Sequence, residues 1–347
     1  MINVSQIKDA HERIKPHIHC TPILKSTQLN KLLGCELFFK AENLQKVGAF
    51  KARGACNAVF SLSDDSVPHG VITHSSGNHG AALAWASGLR GLPCTVVMPK
   101  NSPQAKIDAV IHYGADLVVC ESNMRAREST VTNLINESGA HLVHPYDEYE
   151  VIAGQGTAAL ELFTQLTYPV DVVMAPIGGG GLLSGSALVA KSDEINYSPH
   201  VIGAEPEGAK DAWQGFKSGE RISQFSPETI ADGLRATVGL RNFKIICEQV
   251  DDILLASEKR IVEAMKLLRE VGVEMITLGQ YLQPSNRHLP IDRFPEPKQF
   301  ANWDKTAREL GFKAVASGPL VRSSYRAGLL YEEAEGAEPV VTRESTG

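Results

Sequence analysis

Short apolar, β-branched runs return at regular intervals along the chain, separated by segments with helical spacing. The runs are ELFFKAE (36–42), GVITH (70–74), CTVVMP (94–99), DLVVCE (116–121), HLVHP (141–145), VDVVMAPI (170–177), HVIGAE (200–205) and DDILLA (251–256). NHGAALAWASGLR and GTAALELFTQL are two of the helix-like intervals. Alternation of this kind predicts an α/β fold on a largely parallel sheet. Ligands of such sheets sit at the C-terminal strand ends, where the chain turns into a helix. Chemistry is therefore sought at those turns.

Length and charge narrow the classes. A chain of 347 residues is long enough for two domains and a real core. The net charge of -6, with no Lys/Arg run, gives no reason to expect nucleic acid. No apolar run reaches membrane-spanning length, and the N-terminus MINVSQIKDAHERIKPHIH lacks the apolar stretch of a secretory leader, so the expected compartment is the cytoplasm. Cys20, Cys35, Cys56, Cys94, Cys120 and Cys247 show no C-x-x-C spacing. They are expected to be reduced thiols, three of them in strand-like contexts (PCTVV, LVVCE, IICEQ), and not a metal or cluster motif.

Three turns carry unusual residues. In APIGGGGLLSG, Gly178, Gly179, Gly180 and Gly181 follow a strand and open a helix. Backbone N–H groups and a helix N-terminus would there face one point, which suits a phosphate. Neither the Walker lysine nor the third glycine of a dinucleotide fingerprint is present. In THSSGNHGAALA, Ser75, Ser76, Gly77, Asn78 and His79 lie between a strand and a helix. Hydroxyls, an amide and free N–H groups at that place suit a carboxylate, or simply cap the helix. The third is VGAFKARGA, where Lys51 stands next to Phe50 among small residues. A lysine there is either a snorkelling surface group or an amine whose pKa falls on burial, ready to attack a carbonyl. A phosphate cradle, an anion turn and a buried amine together fit an amino acid held on pyridoxal phosphate (PLP).

The segments KAENLQKVGAFKARGACNA, HSSGNHGAALA, HPYDEYEVIAGQGTAALE, APIGGGGLLSG, AEPEGAKDAW and ETIADGLRATVGL resemble, in order, the PLP-dependent serine racemase and serine/threonine dehydratase family over residues 5–268. The resemblance implies PLP fold type II, similar to tryptophan synthase β. Two α/β domains would hold the cofactor in their cleft, the larger from 1–69 plus 141–268 and the smaller from 70–140. Lys51 would form the Schiff base beside Phe50, Asn78 would contact the PLP phenolic oxygen, and Gly178 to Gly181 would hold the phosphate. Ser75 to His79 would bind the substrate carboxylate, with L-serine, and also L-threonine, as substrates. Lys51 would move the α-proton on one face. Loss of the β-hydroxyl would give an aminoacrylate, then a keto acid and ammonia. Racemisation needs a second acid/base opposite, and Ser76 resembles the racemase serine where many threonine dehydratases have alanine. Tyr146 and Ala236 stand where animal racemases have polar residues, so a dehydratase without racemase activity stays open. Glu205, the Ala209 carbonyl and Asp211 match a Mg²⁺ or Ca²⁺ site of the racemase branch. Members are commonly homodimers.

The resemblance stops near Leu268. REVGVEMITLGQYLQPSNRHLPIDRF and ARELGFKAVASGPLVRSSYRAG are similar to the C-terminal part of lipoyl synthase over 269–328, ending in Arg322 to Tyr325. No cysteine follows Cys247, so no iron–sulfur cluster is expected. The segment 269–347 reads as a foreign tail that frays at its polar end and replaces one wall of the PLP site. That leaves open a protein that binds PLP without turning substrate over.

Overall fold

The computed structural model describes residues 2–75, 77–100, 102, 104–121, 124–229, 231–257, 263, 275–279 and 314–318. The chain divides into two compact units, residues 1–258 with 282–292, and residues 259–281 with 293–347. In the second unit, β10 (Met275–Gly279) and β11 (Ala314–Gly318) pair in parallel. The rest of the segment 269–347, for which the sequence suggests a likeness to lipoyl synthase, lies outside the described residues.

The first unit begins with α1 (Val4–Ile14), capped by Asn3 in a reciprocal box with Gln6. β1 (Ile23–Leu24), α2 (Thr27–Leu33) and β2 (Phe39–Lys40) follow, and β1 and β2 pair antiparallel. The run ELFFKAE thus forms a small separate ribbon. Next comes α3 (Lys51–Ser61). Two parallel sheets then account for the alternation. The first, in the order β5-β4-β3-β6, contains β3 (Val71–His74), β4 (Cys94–Pro99), β5 (Asp116–Cys120) and β6 (His141–Leu142). Its connections are α4 (Asn78–Arg90), α5 (Gln104–His112) and α6 (Met124–Ser138). After α7 (Tyr149–Gln165), the second sheet runs β7-β8-β9 from β7 (Val172–Pro176), β8 (His200–Pro206) and β9 (Asp252–Ala256). Its helices are α8 (Gly181–Ala190), α9 (Asp211–Ser218) and α10 (Leu240–Gln249). On one face of this sheet Val172, Met174 and Leu254 remain exposed.

All six cysteines are free. Cys94 and Cys120 lie in strands, whereas Cys247 lies in α10, whose buried face is Asn242, Phe243, Ile245 and Ile246. The strand-like run IIC therefore belongs to a helix. Helix α7 also starts earlier than its sequence suggests, because Gly154 and Gly156 do not break it. They let neighbouring helices touch backbone to backbone. A Cβ at Gly154 would lie 2.6 Å from the Arg53 carbonyl oxygen and from the Gly54 Cα of α3. A Cβ at Gly156 would lie 2.9 Å from the Gly185 carbonyl oxygen of α8. Helix α7 thereby sets the spacing between the helix that starts at Lys51 and the helix that follows the glycine loop.

Gly154→Ala places a methyl where rigid backbone already stands. It is expected to cost about 1–3 kcal/mol, read as a lowered urea midpoint at unchanged m-value.

Candidate active site

Three strand ends, those of β3, β7 and β6, and the start of α3 carry the groups of the candidate site. After β3 the chain turns through Ser75, whose hydroxyl accepts the Gly77 N–H at 3.2 Å, and enters α4. Gly77 caps α4 without a side-chain bond, and Asn78 is exposed at its first position. Ser76 lies outside the described residues. After β7 comes the glycine loop. Gly180, the α8 N-cap, has φ +94°, where glycine alone is unstrained, and no side chain caps that helix either. Side chains are excluded all along the loop. A Cβ would lie 3.0 Å from the Gly233 carbonyl oxygen at Gly178, 2.2 Å from the Tyr146 ring at Gly179, and 2.8 Å from Asn242 Cβ at Gly180. Two helix N-termini thus keep their amides free of side-chain caps, the arrangement that receives anions.

The turn after β6 joins these parts. Lys51 Nζ donates to the Pro145 carbonyl at 2.8 Å and lies 5.3 Å from the Phe50 ring centroid and 5.8 Å from that of Tyr146. Tyr146 covers Gly179, and its carbonyl accepts from Asn242 Nδ2 at 2.8 Å. Asp147 Oδ1 and Oδ2 accept the first amides of α10, from Arg241 at 2.8 Å and Leu240 at 3.0 Å. His144 meets His74 edge-on at 5.6 Å and Tyr146 at 4.7 Å.

Burial sets the protonation states. Lys51 as a residue is partly exposed, but its amino nitrogen is enclosed, and those surroundings govern its proton. Burial brings the amine down to about 8. His74 and His144 are each pushed down to about 4, first by burial. His79 is 2% exposed and falls well below its usual value, by burial and then by the Lys51 charge. Neither of its ring nitrogens has a hydrogen-bond partner within normal geometry, and the Val143 backbone nearby acts in the opposite direction, towards protonation. The phenol of Tyr146 is pushed up to about 12 by burial.

Sequence reasoning missed Arg127 of α6. It is 8% exposed, its Nε has no hydrogen-bond partner, and burial lowers its pKa. Its charge is felt at His74, and those of Cys120 and then Tyr146 are felt at Arg127, so it lies near this cleft. Nothing in MRARESTVTN distinguishes it from a solvated helix charge.

At the end of β8, Glu205 and Asp211 are both buried, and Ala209 is 1% exposed. The Glu205 carboxylate accepts the Ala212 and Trp213 amides at 3.1 and 2.9 Å, and Asp211 accepts the Val238 amide at 2.8 Å. Burial pushes Glu205 up to about 8 and Asp211 up to about 6, and the Asp211 charge adds to the rise at Glu205. No cluster of three or more His, Cys, Asp or Glu side chains suited to a metal occurs among the described residues.

A family model described as pyridoxal-phosphate dependent enzyme matches residues 14–275. The chain belongs to that PLP-dependent family. It is 48% identical over 271 residues to a serine racemase of Dictyostelium discoideum, covering 78% of this chain and 83% of that one. It is 49% identical over 259 residues to a β-hydroxyaspartate dehydratase of Paracoccus denitrificans, covering 75% and 81%. The structure of maize serine racemase superposes with a TM-score of 0.74 at 41% identity, over 81% of this chain and 85% of that one. The fold is accordingly PLP fold type II, with parallel sheets and the glycine loop at a strand end.

The enclosed amine gives a stability signature. Unfolding restores Lys51 towards 10.5, so between about 8 and 10.5 the unfolded chain holds more protons and stability rises with pH. Lys51→Met is therefore expected to be more stable than wild type at pH 7, with a gain that shrinks between pH 8 and 10.5. Thermal melts of both proteins across that range measure it.

Proposed function

We propose that this chain is a PLP-dependent serine racemase that also eliminates water from L-serine, giving pyruvate and ammonia. The observation that carries this is the enclosed Lys51 amine, set against an uncapped glycine loop and the Ser75–His79 turn. The residues present fit PLP. Gly178, Gly179, Gly180 and Gly181 would hold the phosphate on the α8 amides, Asn78 would meet the phenolic oxygen, and Phe50 would pack beside Lys51. PLP, when bound, supplies the electron sink that makes the substrate α-proton acidic. An amine near 8 is partly neutral at neutral pH, so Lys51 is suited both to accept and to return a proton. Ser75, Gly77 and His79 would orient the substrate carboxylate, and Ser76 would act on the opposite face. The residues 70–140 would form the smaller domain, and 1–69 with 141–268 the larger, assembled as a homodimer. The tail from 269 would be lipoyl-synthase-like in sequence without that activity. Among the described residues no helix is long and apolar enough to cross a membrane, and we propose a cytoplasmic enzyme.

A second reading has its own observation. Arg127 is a buried cation with an unpartnered Nε whose charge is felt at His74, which suits a substrate with a second carboxylate. The β-hydroxyaspartate dehydratase of Paracoccus denitrificans acts on such a molecule by its name. One assay decides between them. With PLP, wild type is expected to yield D-serine and pyruvate from L-serine, and Lys51→Ala neither product. Arg127→Met is expected to lower the ratio of 3-hydroxyaspartate to serine turnover by about tenfold or more, the scale of one lost charge-assisted bond. An unchanged ratio counts against the second reading. Steady turnover by Lys51→Ala counts against both.

Glu205, the Ala209 carbonyl and Asp211 would hold Mg²⁺ or Ca²⁺. They are hard oxygen donors, and a divalent cation would offset the burial that raises both acids and the Asp211 charge that adds to the rise at Glu205. Saturating Mg²⁺ or Ca²⁺, at about 100 times its Kd, is expected to add about 2.7 kcal/mol of stability. Chelation should remove that increment in wild type and leave Glu205→Gln unchanged, as read by thermal melts.

A further inference from the structure

The two ends of the segment 42–53, which contains Lys51, are tied together. Arg53 is 0% exposed. Its Nε donates to Glu42 Oε2 and its Nη2 to Glu42 Oε1, both at 2.7 Å. The same guanidinium meets Glu161 of α7, Nη1 to Oε1 and Nη2 to Oε2, both at 2.8 Å. Lys40 Nζ donates to Glu161 Oε2 at 2.7 Å. Two acids and two cations balance, and the planar fork of arginine serves both carboxylates at once.

Between the tied ends Gln45 is held to the His19 backbone at 2.9 and 2.7 Å, whereas the stretch from Val47 to Phe50, next to Lys51, is strained and has no side-chain cap. Val47 has φ 54° and ψ 15°, the left-handed region that a β-branched residue rarely enters. Phe50, the N-cap of α3, offers no side-chain bond to the first turn. Lys51 and Arg53 are two residues apart on a helix, hence about 200° apart around it. One therefore faces the Pro145 carbonyl while the other faces Glu42 and Glu161.

We infer that the Arg53–Glu42 pair is a positioning device for Lys51, closing the 42–53 segment so that the amine enters the cleft at a fixed height and direction. The Arg53–Glu161 pair anchors α3 to α7, whereas the pair with Glu42 shapes the lysine-bearing segment itself. The inference rests on the assignment of Lys51 to PLP.

Glu42→Gln and Glu161→Gln separate the two pairs, since each removes one negative charge at nearly constant shape. The full chain, freed of cofactor, is mixed with PLP. The Lys51 amine condenses with the aldehyde, one water leaves, and borohydride reduces the new C=N bond to a stable adduct. Mass spectrometry of peptides follows the adduct on Lys51 with time, and thermal melts are recorded alongside. Both variants are expected to lose stability. Adduct formation is expected to slow by about tenfold or more in Glu42→Gln and to stay within about twofold in Glu161→Gln, because small misplacements of a reacting group carry large rate costs. A wild-type rate in Glu42→Gln, or slowing that follows the melting temperature equally in both variants, overturns the inference. Glu42→Asp, which keeps the charge but shortens the reach, replaces Glu42→Gln if the latter does not fold, with the same slowing expected and a wild-type rate again overturning it. Wild-type protein that forms no adduct on Lys51 overturns the assignment of the lysine, and this inference with it, and is told apart by the missing wild-type signal.

Discussion

The contact on which this site depends is the close approach of α3, α7 and α8 at paired glycines. Gly54 and Gly154 bring α3 onto α7, and Gly156 and Gly185 bring α7 onto α8, each so near that a methyl would strike backbone. Interiors packed at crystal-like density transmit such distances with little give. Lys51 opens α3, and Gly178 to Gly180 lead into α8. The gap between amine and glycine loop is therefore fixed by helix packing well behind the cleft. Loops carry the functional groups, but rigid elements hold them at their spacing.

Electrostatics then divides the buried charges into two kinds. The Arg53, Lys40, Glu42 and Glu161 cluster is satisfied in every direction observed, and its charges sum to zero. Such a cluster contributes geometry more than net stability, because desolvation offsets much of the attraction. Lys51 and Arg127 are different. Both are enclosed, both have lowered pKa values, and neither has a carboxylate partner among its hydrogen bonds described above. Groups held in that state cluster at functional sites, since a ligand can supply what the fold withholds.

Much of this was legible in the sequence, and the misses have physical causes. CTVVMP gave β4 and NHGAALAWASGLR gave α4 residue for residue, because each has an unbroken period and a clear terminator. The N-terminal turns of α7 were hidden by Gly154 and Gly156, which signal a breaker unless one knows that a neighbouring helix needs the space. IIC in α10 resembled a strand because three apolar residues in a row carry no period of their own. The glycine loop and Lys51 stood out because their residue types are unusual at a strand end or among small residues. Arg127 could not stand out, for its significance lies in what surrounds it in space. Glu42 and Arg53 form a pair that only the fold closes.

The charge of the cleft follows from these parts and runs against that of the whole chain. The protein carries a net -6, yet the cleft gathers Lys51, Arg127 and the positive ends of α4 and α8. The three histidines do not add to this at neutral pH, since burial and the neighbouring cations keep His74 and His144 near 4 and His79 well below its usual value. They are left as neutral rings that accept or donate single hydrogen bonds. His144 already accepts the Asp147 amide at 2.9 Å, while His79 is uncommitted. A ligand that brings a phosphate and a carboxylate therefore meets positive charge without competition from a protein acid at the amine. The same excess destabilises the fold while the cleft holds no anion, so ligand affinity and fold stability draw on one electrostatic imbalance.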